Sequence, residues 1–364
     1  MQVGILGVAK VPVGERRVGS IRLMLDSKMR STAAFLGLLL AGACWAQDTA
    51  LISQDFKNDT AGWAGMGKAA KVSLTHWSPG AAQDGGALQF DYKVDRGEMD
   101  ALFLPVGTGA LAKAHSFKFR IMADQDTAVG VVLPEQDGGR YMAVCKVPKG
   151  VYQECELSPS DFHLSQEPGD PKDPDGKLDL DQVNGILLVD LQEIFVGAGN
   201  ADLEKLLNVQ KGAHSLYLDR FSVVSEAAPT TSETDKGVTT LDTFRHPQLA
   251  WIGVGAVKMS LSRGEPLAGP GMKWDYKQMP NSFVAGAVGI EPGILRGKDS
   301  LSFDLASVRG GTMRVQLEEV GGNKYSTSVD IPFGSKVKHV ALQFSDFRST
   351  DDTKDPMRSW IWGR

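Results

Sequence analysis

The chain has 364 residues, 42% of them hydrophobic and 23% charged, with a net charge of −5. That length suits two domains of ordinary size, each able to bury its own core. An acidic globular composition argues against nucleic acid or an anionic membrane surface as the partner.

The acidity deepens when residues 1–46 are set aside, because Lys10, Arg16, Arg17, Arg22, Lys28 and Arg30 there outnumber Glu15 and Asp26. Residues 29–46 read as a signal peptide. Arg30 follows Met29, Ala33 to Ala43 is an apolar stretch, and Cys44-Trp45-Ala46 precedes Gln47. The apolar run is short for a membrane span. A secreted or periplasmic protein is expected. Residues 1–28 are then an extension upstream of a true start at Met29, with an uncleaved anchor as the alternative. Leu40-Ala41-Gly42-Ala43-Cys44 approaches a lipobox, but its leucine lies one place too far upstream. Lipid attachment at Cys44 is a lesser alternative.

Beyond Gln47 the dominant period is two. Phe117, Phe119 and Ile121 alternate with Lys118 and Arg120, which gives a strand with one buried and one wet face. Glycine-rich turns such as Gln136-Asp137-Gly138-Gly139 separate strand-like runs. Cys145 and Cys155 flank the turn signal Pro148-Lys149-Gly150 and can face each other across a hairpin. An exported protein could oxidise them; the alternative is two free thiols packed in the core. The run from Asp170 to Asp181 invites a calcium-loop reading with Gly176 at the required glycine. Pro171 and Gln182 then fill the first and last ligand positions, so a solvated acidic loop is the better reading. One short helix is expected over 201–209, with Asn200 as its N-cap. Strands follow at 183–189 and 216–223.

Residues 227–238 form a linker by composition, polar and without apolar period. After it the chain repeats itself. Phe90-Asp91-Tyr92-Lys93 returns as Trp274-Asp275-Tyr276-Lys277, and Tyr141 returns as Tyr325, both 184 residues later. Ser160-Asp161-Phe162 returns as Ser345-Asp346-Phe347 at a spacing of 185. Cys145 and Cys155 meet Val329 and Val340, and Arg120 meets Asp304. A period this long suits a duplicated domain rather than a solenoid. The expected architecture is all-β, with tandem β-sandwich domains over 47–226 and 239–364. The second copy is expected to be truncated at its C-terminus, without closing strands, leaving unpaired edges.

Two segments carry a family likeness. One is Gln54-Asp55-Phe56-Lys57-Asn58-Asp59-Thr60-Ala61-Gly62-Trp63. The other is Asp181-Gln182-Val183-Asn184-Gly185-Ile186 with Gly212-Ala213-His214-Ser215-Leu216-Tyr217-Leu218-Asp219. Together they resemble the galactose-binding-like jelly-roll superfamily. Within it they look most like carbohydrate-binding modules found beside glucanases and the complex I intermediate-associated domain. The likeness covers residues 52–224 well and 240–350 in part.

The resemblance implies binding of a polysaccharide, β-glucan-like, through a sheet face. Aromatic rings would stack on sugar faces, and Arg, carboxylates and amides would read hydroxyls. The wet strand faces offer Arg120, Tyr152, Asp91, Glu154, Lys118 and Lys93. Arg120 leads as a planar multi-donor in an otherwise apolar strand, and Arg120→Ala is expected to weaken binding without unfolding. Tyr141 is a further carbohydrate-binding candidate, although it shares phase with Ala143 and Cys145, which places it in the core or at the rim. The superfamily resemblance also implies a structural Ca²⁺ between first and last strands, with Asp55 and Asp219 as its ligands. No catalytic motif appears, and His76, His115, His163, His214, His246 and His339 lack metal-ligand spacing, so a non-catalytic protein is expected. The rival readings are a protein-binding assembly module of the complex I type and an accessory module of a truncated sugar-active enzyme.

Overall fold

The computed structural model describes residues 3–10, 50–76, 85–97, 99–165, 171–197, 199, 201–228, 233–235, 237–277, 283–291, 293–319 and 323–350. The signal-like stretch 29–46, Cys44 included, lies outside them, as does Asn200. Among the described residues no helix is long and apolar enough to cross a membrane.

The chain opens with β1 (Val3–Lys10), inside the segment expected to precede the fold. The first repeat contains β2 (Ala50–Gln54), β3 (Ala64–Met66), β4 (Lys71–Thr75), β5 (Ala87–Val94), β6 (Ala101–Pro105) and β7 (Ser116–Ala123). It continues with β8 (Thr127–Pro134), β9 (Arg140–Val147), β10 (Gln153–Leu157), β11 (His163–Leu164), β12 (Gly185–Asp190) and β13 (Gly212–Val224). Helices α1 (Leu191–Gly197) and α2 (Ala201–Leu206) lie between the last two strands.

These strands form two facing sheets of an all-β jelly-roll sandwich. One has the order β10-β7-β13-β5-β4, with β2 also on β13, and the other β11-β9-β8-β12-β6-β3. Phe117, Phe119, Ile121, Leu88 and Phe90 of the first sheet meet Val129, Val131, Leu133, Ile186 and Leu188 of the second in one buried cluster. Each such side chain contributes about 1.5–3 kcal/mol by leaving water. The two-residue alternation read from sequence is therefore the division between core and wet face.

Helix α1 is not foreseen by the sequence. Its residues continue the apolar run of β12, and its start is marked by Asp190, whose Oδ1 accepts from the Gln192 backbone N–H at 2.9 Å. Phe195 and Val196 are buried, so tertiary packing stabilises a segment too short to be helical alone.

Cys145 and Cys155 are joined in a disulfide, with Cα atoms 6.6 Å apart. The bond ties β9 of one sheet to β10 of the other and is fully interior. Cys145→Val with Cys155→Val copies the residues of the second repeat and keeps the site apolar. Loss of a loop closed over a sequence separation of 10 is expected to lower unfolding free energy by about 2–3 kcal/mol. Urea denaturation followed on the first-repeat signal measures it.

The expected linker holds a hairpin of β14 (Glu233–Asp235) and β15 (Val238–Thr240). Past it, residues 247–249 lie along the first sandwich: the Lys146 N–H donates to the Leu249 carbonyl at 3.0 Å, and Gln248 bonds the Glu156 backbone in both directions.

The second repeat contains β16 (Ile252–Val254), β17 (Val257–Ser262), β18 (Gly271–Tyr276), β19 (Ala285–Ala287), β20 (Gly289–Ile290) and β21 (Ser300–Leu305). It ends with β22 (Gly311–Glu318), β23 (Lys324–Ile331), β24 (Lys338–Gln343) and β25 (Arg348–Ser349). Its pairings repeat those of the first. Val129↔Cys145 recurs as Met313↔Val329, and Phe119↔Cys155 as Phe303↔Val340. One sheet runs β16-β19-β1-β22-β23-β25. The other is split into the pairs β17-β18 and β21-β24. In the first repeat β13 lies between the corresponding strands; among the described residues nothing takes its place here, so β18 and β21 each present an unpaired edge. The buried residues accordingly fall into separate small clusters, such as Val315, Val329, Val340, Leu342 and Phe347.

Candidate functional site

The wet face of the β10-β7-β13-β5-β4 sheet gathers most of the candidates. Lys118 and Arg120 project from β7 because Phe117, Phe119 and Ile121 take the core side. Glu154 stands directly across from Arg120 on β10. On β13 the register shifts between Leu218, opposite Ile121, and Arg220, opposite Arg120. Asp219 is the extra residue of this bulge, and a bulge re-aims its side chain.

That irregularity builds a clamp around Arg120. Its Nη1 donates to Asp219 Oδ2 at 2.6 Å, and its Nε lies 3.3 Å from Glu154 Oε1. Its guanidinium carbon sits 4.5 Å from the centre of the Tyr152 ring. Asp219 is 1% exposed, whereas the Glu154 side chain is 58% exposed. A carboxylate withdrawn that far from water requires a cation beside it. Arg120 thus has a structural duty toward Asp219, while Glu154 is exposed and Tyr152 half-buried beneath the guanidinium.

Further along the same face, Asp91 Oδ1 accepts from Ser215 Oγ at 2.6 Å and from Gln89 Nε2 at 2.8 Å. Tyr217 stands in the row between Gln89 and Met122. It was not singled out by sequence, although its alternation with buried Leu216 and Leu218 marks it as outward-facing. Lys118 lies 3.4 Å from Glu156 and 3.5 Å from Glu226. Partial burial pulls its pKa down, but the two carboxylates outweigh this and hold it above the usual lysine value. Lys93 is paired with Asp95 at 2.6 Å.

Tyr141 belongs elsewhere. It is 3% exposed within the core, on the opposite sheet, and its hydroxyl donates to Asp173 Oδ2 at 2.8 Å. Burial and the Asp173 carboxylate push its phenol well up. Asp173 also caps the acidic loop, accepting from the Asp175 and Gly176 N–H groups. Burial works against its ionisation, yet the Tyr141 and backbone bonds hold it down at about 2. Its carboxylate is therefore a fastener of the 171–181 loop.

The carboxylates expected to hold calcium have other partners. Asp55 is exposed and lies 3.4 Å from Lys57. Asp219 Oδ2 is taken by Arg120, and only its Oδ1 lacks a hydrogen-bond partner. Among the described residues no group of three or more His, Cys, Asp or Glu is arranged to hold a metal ion. Asp55 and Asp219 each stand beside a basic side chain, Lys57 and Arg120.

In the second repeat the matching cross-strand pair is Asp304 opposite His339, with His339 Nδ1 2.9 Å from Asp304 Oδ1. Both are exposed. The Arg–Glu pair of the first repeat is thus replaced by an acid on the arginine strand and a base on the glutamate strand.

Buried acids lie behind the site. Glu193 Oε2 accepts from the Asp100 N–H at 2.7 Å while Oε1 has no partner, and burial pushes the carboxyl up to about 8. A folded pKa raised above the unfolded value favours the folded state at low pH. The contribution is complete below about pH 4.5 and is lost as pH rises toward about 8. The melting temperature of the first sandwich is therefore expected to fall between pH 5 and pH 8. Glu193→Gln, which stays neutral, should flatten that slope; an unchanged slope in thermal melts across this range would contradict the assignment.

No family profile matches the chain, and no curated protein does. Solved structures do show similarity. One is the family 11 carbohydrate-binding module of the cellulosomal cellulase Lic26A-Cel5E of Clostridium thermocellum, 15% identical, covering 48% of this chain and 94% of that one, with a TM-score of 0.35. The family 11 module from the same organism in complex with a β-1,3-1,4-mixed-linked tetrasaccharide is 16% identical over 49% of this chain and 96% of that one, with a TM-score of 0.35. The CBM22-1 xylan-binding domain of Paenibacillus barcinonensis Xyn10C is 16% identical over 50% of this chain and 97% of that one, with a TM-score of 0.31.

Proposed function

We propose that the first sandwich is a non-catalytic carbohydrate-binding domain of an exported protein. It would take a β-glucan-like polysaccharide across the face of the β10-β7-β13-β5-β4 sheet. The observation that carries this reading is the clamped Arg120, set against the Tyr152 ring and beside the exposed Glu154. Such a group offers fixed donors, a carboxylate acceptor and an aromatic surface together. Sugars present hydroxyls at the ring edge and C–H groups at the ring face, so they need this combination. Asp91, Ser215, Tyr217 and Lys118 extend the polar face along the sheet. The second repeat, with Asp304 and His339 at the matching places, would not bind alike. The structural calcium implied by the family resemblance is not part of this proposal.

Affinity electrophoresis on mixed-linked β-glucan, xylan, laminarin and an uncharged non-sugar polymer tests it. Retardation is expected on a β-glucan and not on the control. Glu154→Ala and Tyr217→Ala should each weaken binding about tenfold, the loss of one charge-assisted bond or one stacking contact. Folding stability should change by only about 0.5 kcal/mol for Glu154→Ala at an exposed position, and by more, about 1–2 kcal/mol, for the half-buried Tyr217. Absence of retardation on every polysaccharide, with a protein partner recovered instead, would replace this reading with that of an assembly module.

A further inference from the structure

The strand β1 lies between β22 and the β19–β20 segment, and both flanks fix its register. Against β22, Leu6 pairs with Gln316, Gly7 with Val315 and Val8 with Arg314. Against β19 and β20, Gly7 pairs with Gly286 and Gly4 with Gly289. In the first repeat the corresponding place is held by β12. There Leu187 pairs with Val132, Leu188 with Val131 and Val189 with Gly130 on β8; Leu188 pairs with Leu102 and Gly185 with Pro105 on β6.

Every partner on β22, β19 and β20 stands 184 residues after its counterpart on β8 and β6, the spacing of the duplication itself. The pairing therefore equates Gly4, Leu6, Gly7 and Val8 with Gly185, Leu187, Leu188 and Val189. The sequence equates the same residues without reference to pairing: Gly4-Ile5-Leu6-Gly7-Val8 reads against Gly185-Ile186-Leu187-Leu188-Val189, with one difference. A strand placed by general edge-seeking alone would have no reason to adopt this register, because a slip by one residue reverses which side chains face the core.

We propose that the second sandwich is a strand acceptor whose partner is the segment Gly4–Ala9 of the same chain, so that its sheet is closed from the front of the molecule. The slot holds this extended segment by main-chain hydrogen bonds on both sides, as in other strand-addition complexes. Without it, β19 and β22 would each present an open edge and the sheet β16-β19-β1-β22-β23-β25 would fall into two pieces. The 39 residues between Lys10 and Ala50 can span on the order of 130 Å. Tethering at that length keeps the strand at a high local concentration, which favours closure within one chain over exchange between chains.

The test uses the full chain with Cys44→Ala, leaving the Cys145–Cys155 bridge in place. Val8→Cys with Arg314→Cys puts thiols on directly opposed residues, whose Cα separation in either kind of antiparallel pair allows a disulfide. Mild oxidation should give a cross-link at monomer mass, identified by peptide mass spectrometry. Val8→Cys with Gln316→Cys, two places out of register, should give none. A cross-link found only in dimers would make a second copy the donor and overturn the same-chain assignment. No cross-link in the matched pair, or equal cross-linking in both pairs, would overturn the strand assignment altogether. A second measurement does not depend on substitution. Hydrogen exchange should show those β19 and β22 amides that bond to β1, as distinct from those bonded to β16 and β23, protected in the protein that retains Val3–Lys10 and unprotected in protein whose N-terminus lies beyond Lys10. Protection in both would also overturn it. Neither outcome depends on whether the first sandwich binds sugar.

Discussion

Arg120→Ala is expected to destabilise the first sandwich by about 3 kcal/mol, the lower end of the cost of breaking a buried ion pair, because Arg220 Nε remains 4.0 Å from Asp219 Oδ2. Arg120 is the residue whose Nη1 lies 2.6 Å from the carboxylate of Asp219, which is 1% exposed. From sequence the same substitution is expected to spare the fold, because Arg120 alternates with core residues and so reads as a wet-face side chain. The bulge at Asp219 reverses that expectation: both residues lie on the wet face, but the acid is covered there and withdrawn from water. A fall in melting temperature of roughly 10 °C would correspond to this loss in a domain of this size. The double variant Arg120→Ala with Asp219→Ala separates the causes, since it removes the stranded acid as well. It should recover a large part of the stability while still lacking sugar affinity. If Arg120→Ala melted with the parent protein, Asp219 would have to be satisfied by some other group and the clamp would be wrongly drawn.

Asp190→Ala should be at least as damaging, by about 4 kcal/mol or more. Asp190 is fully buried at the end of β12. Its carboxylate accepts from Tyr92 Oη and Thr127 Oγ1, from Gln125 Nε2 at 3.2 Å and from the Gln192 N–H at 2.9 Å. Burial raises its pKa, and those four donors oppose the shift. Alanine would strand several buried donors at once, each costing about 1–3 kcal/mol, and would remove the bond that starts α1. Asp190→Asn keeps an acceptor oxygen and should lose less. Hydrogen exchange at β5, β8 and β12 reads the effect locally, apart from the second repeat. Unchanged protection of those strands in Asp190→Ala would mean that the network is ornamental to stability.

The strands were legible because their signal is local. Phe117 to Ile121 and Leu301 to Leu305 alternate within a few residues, and burial on one face demands that pattern whatever lies opposite. Helix α1 was not legible, because its apolar residues follow those of β12 without a break and its cap is the last residue of the strand. Of the site, Arg120, Tyr152 and Glu154 were chosen as separate wet-face residues, and the structure brings them together. Tyr141 was read on its phase, and its hydroxyl serves a loop rather than a ligand. Tyr217 carries no such signal, since its strand is recognised by Leu216 and Leu218 rather than by what lies between them.

The sequence by itself determined the all-β class, the doubling at a spacing of 184 residues and the side of each strand that meets the core. These depend on the order of residues along one segment, or on comparing one segment with another. Only the tertiary structure decided that Asp219 lies covered at a bulge beside Arg120, that Cys145 and Cys155 join across the two sheets, and that β1 lies against β22. A bulge is a mismatch between two strands, so neither strand records it alone. The likeness of Gly4–Val8 to Gly185–Val189 is visible in the sequence, but which strands receive the segment is set by backbone pairing, which leaves no mark on the side chains of the receiving strands.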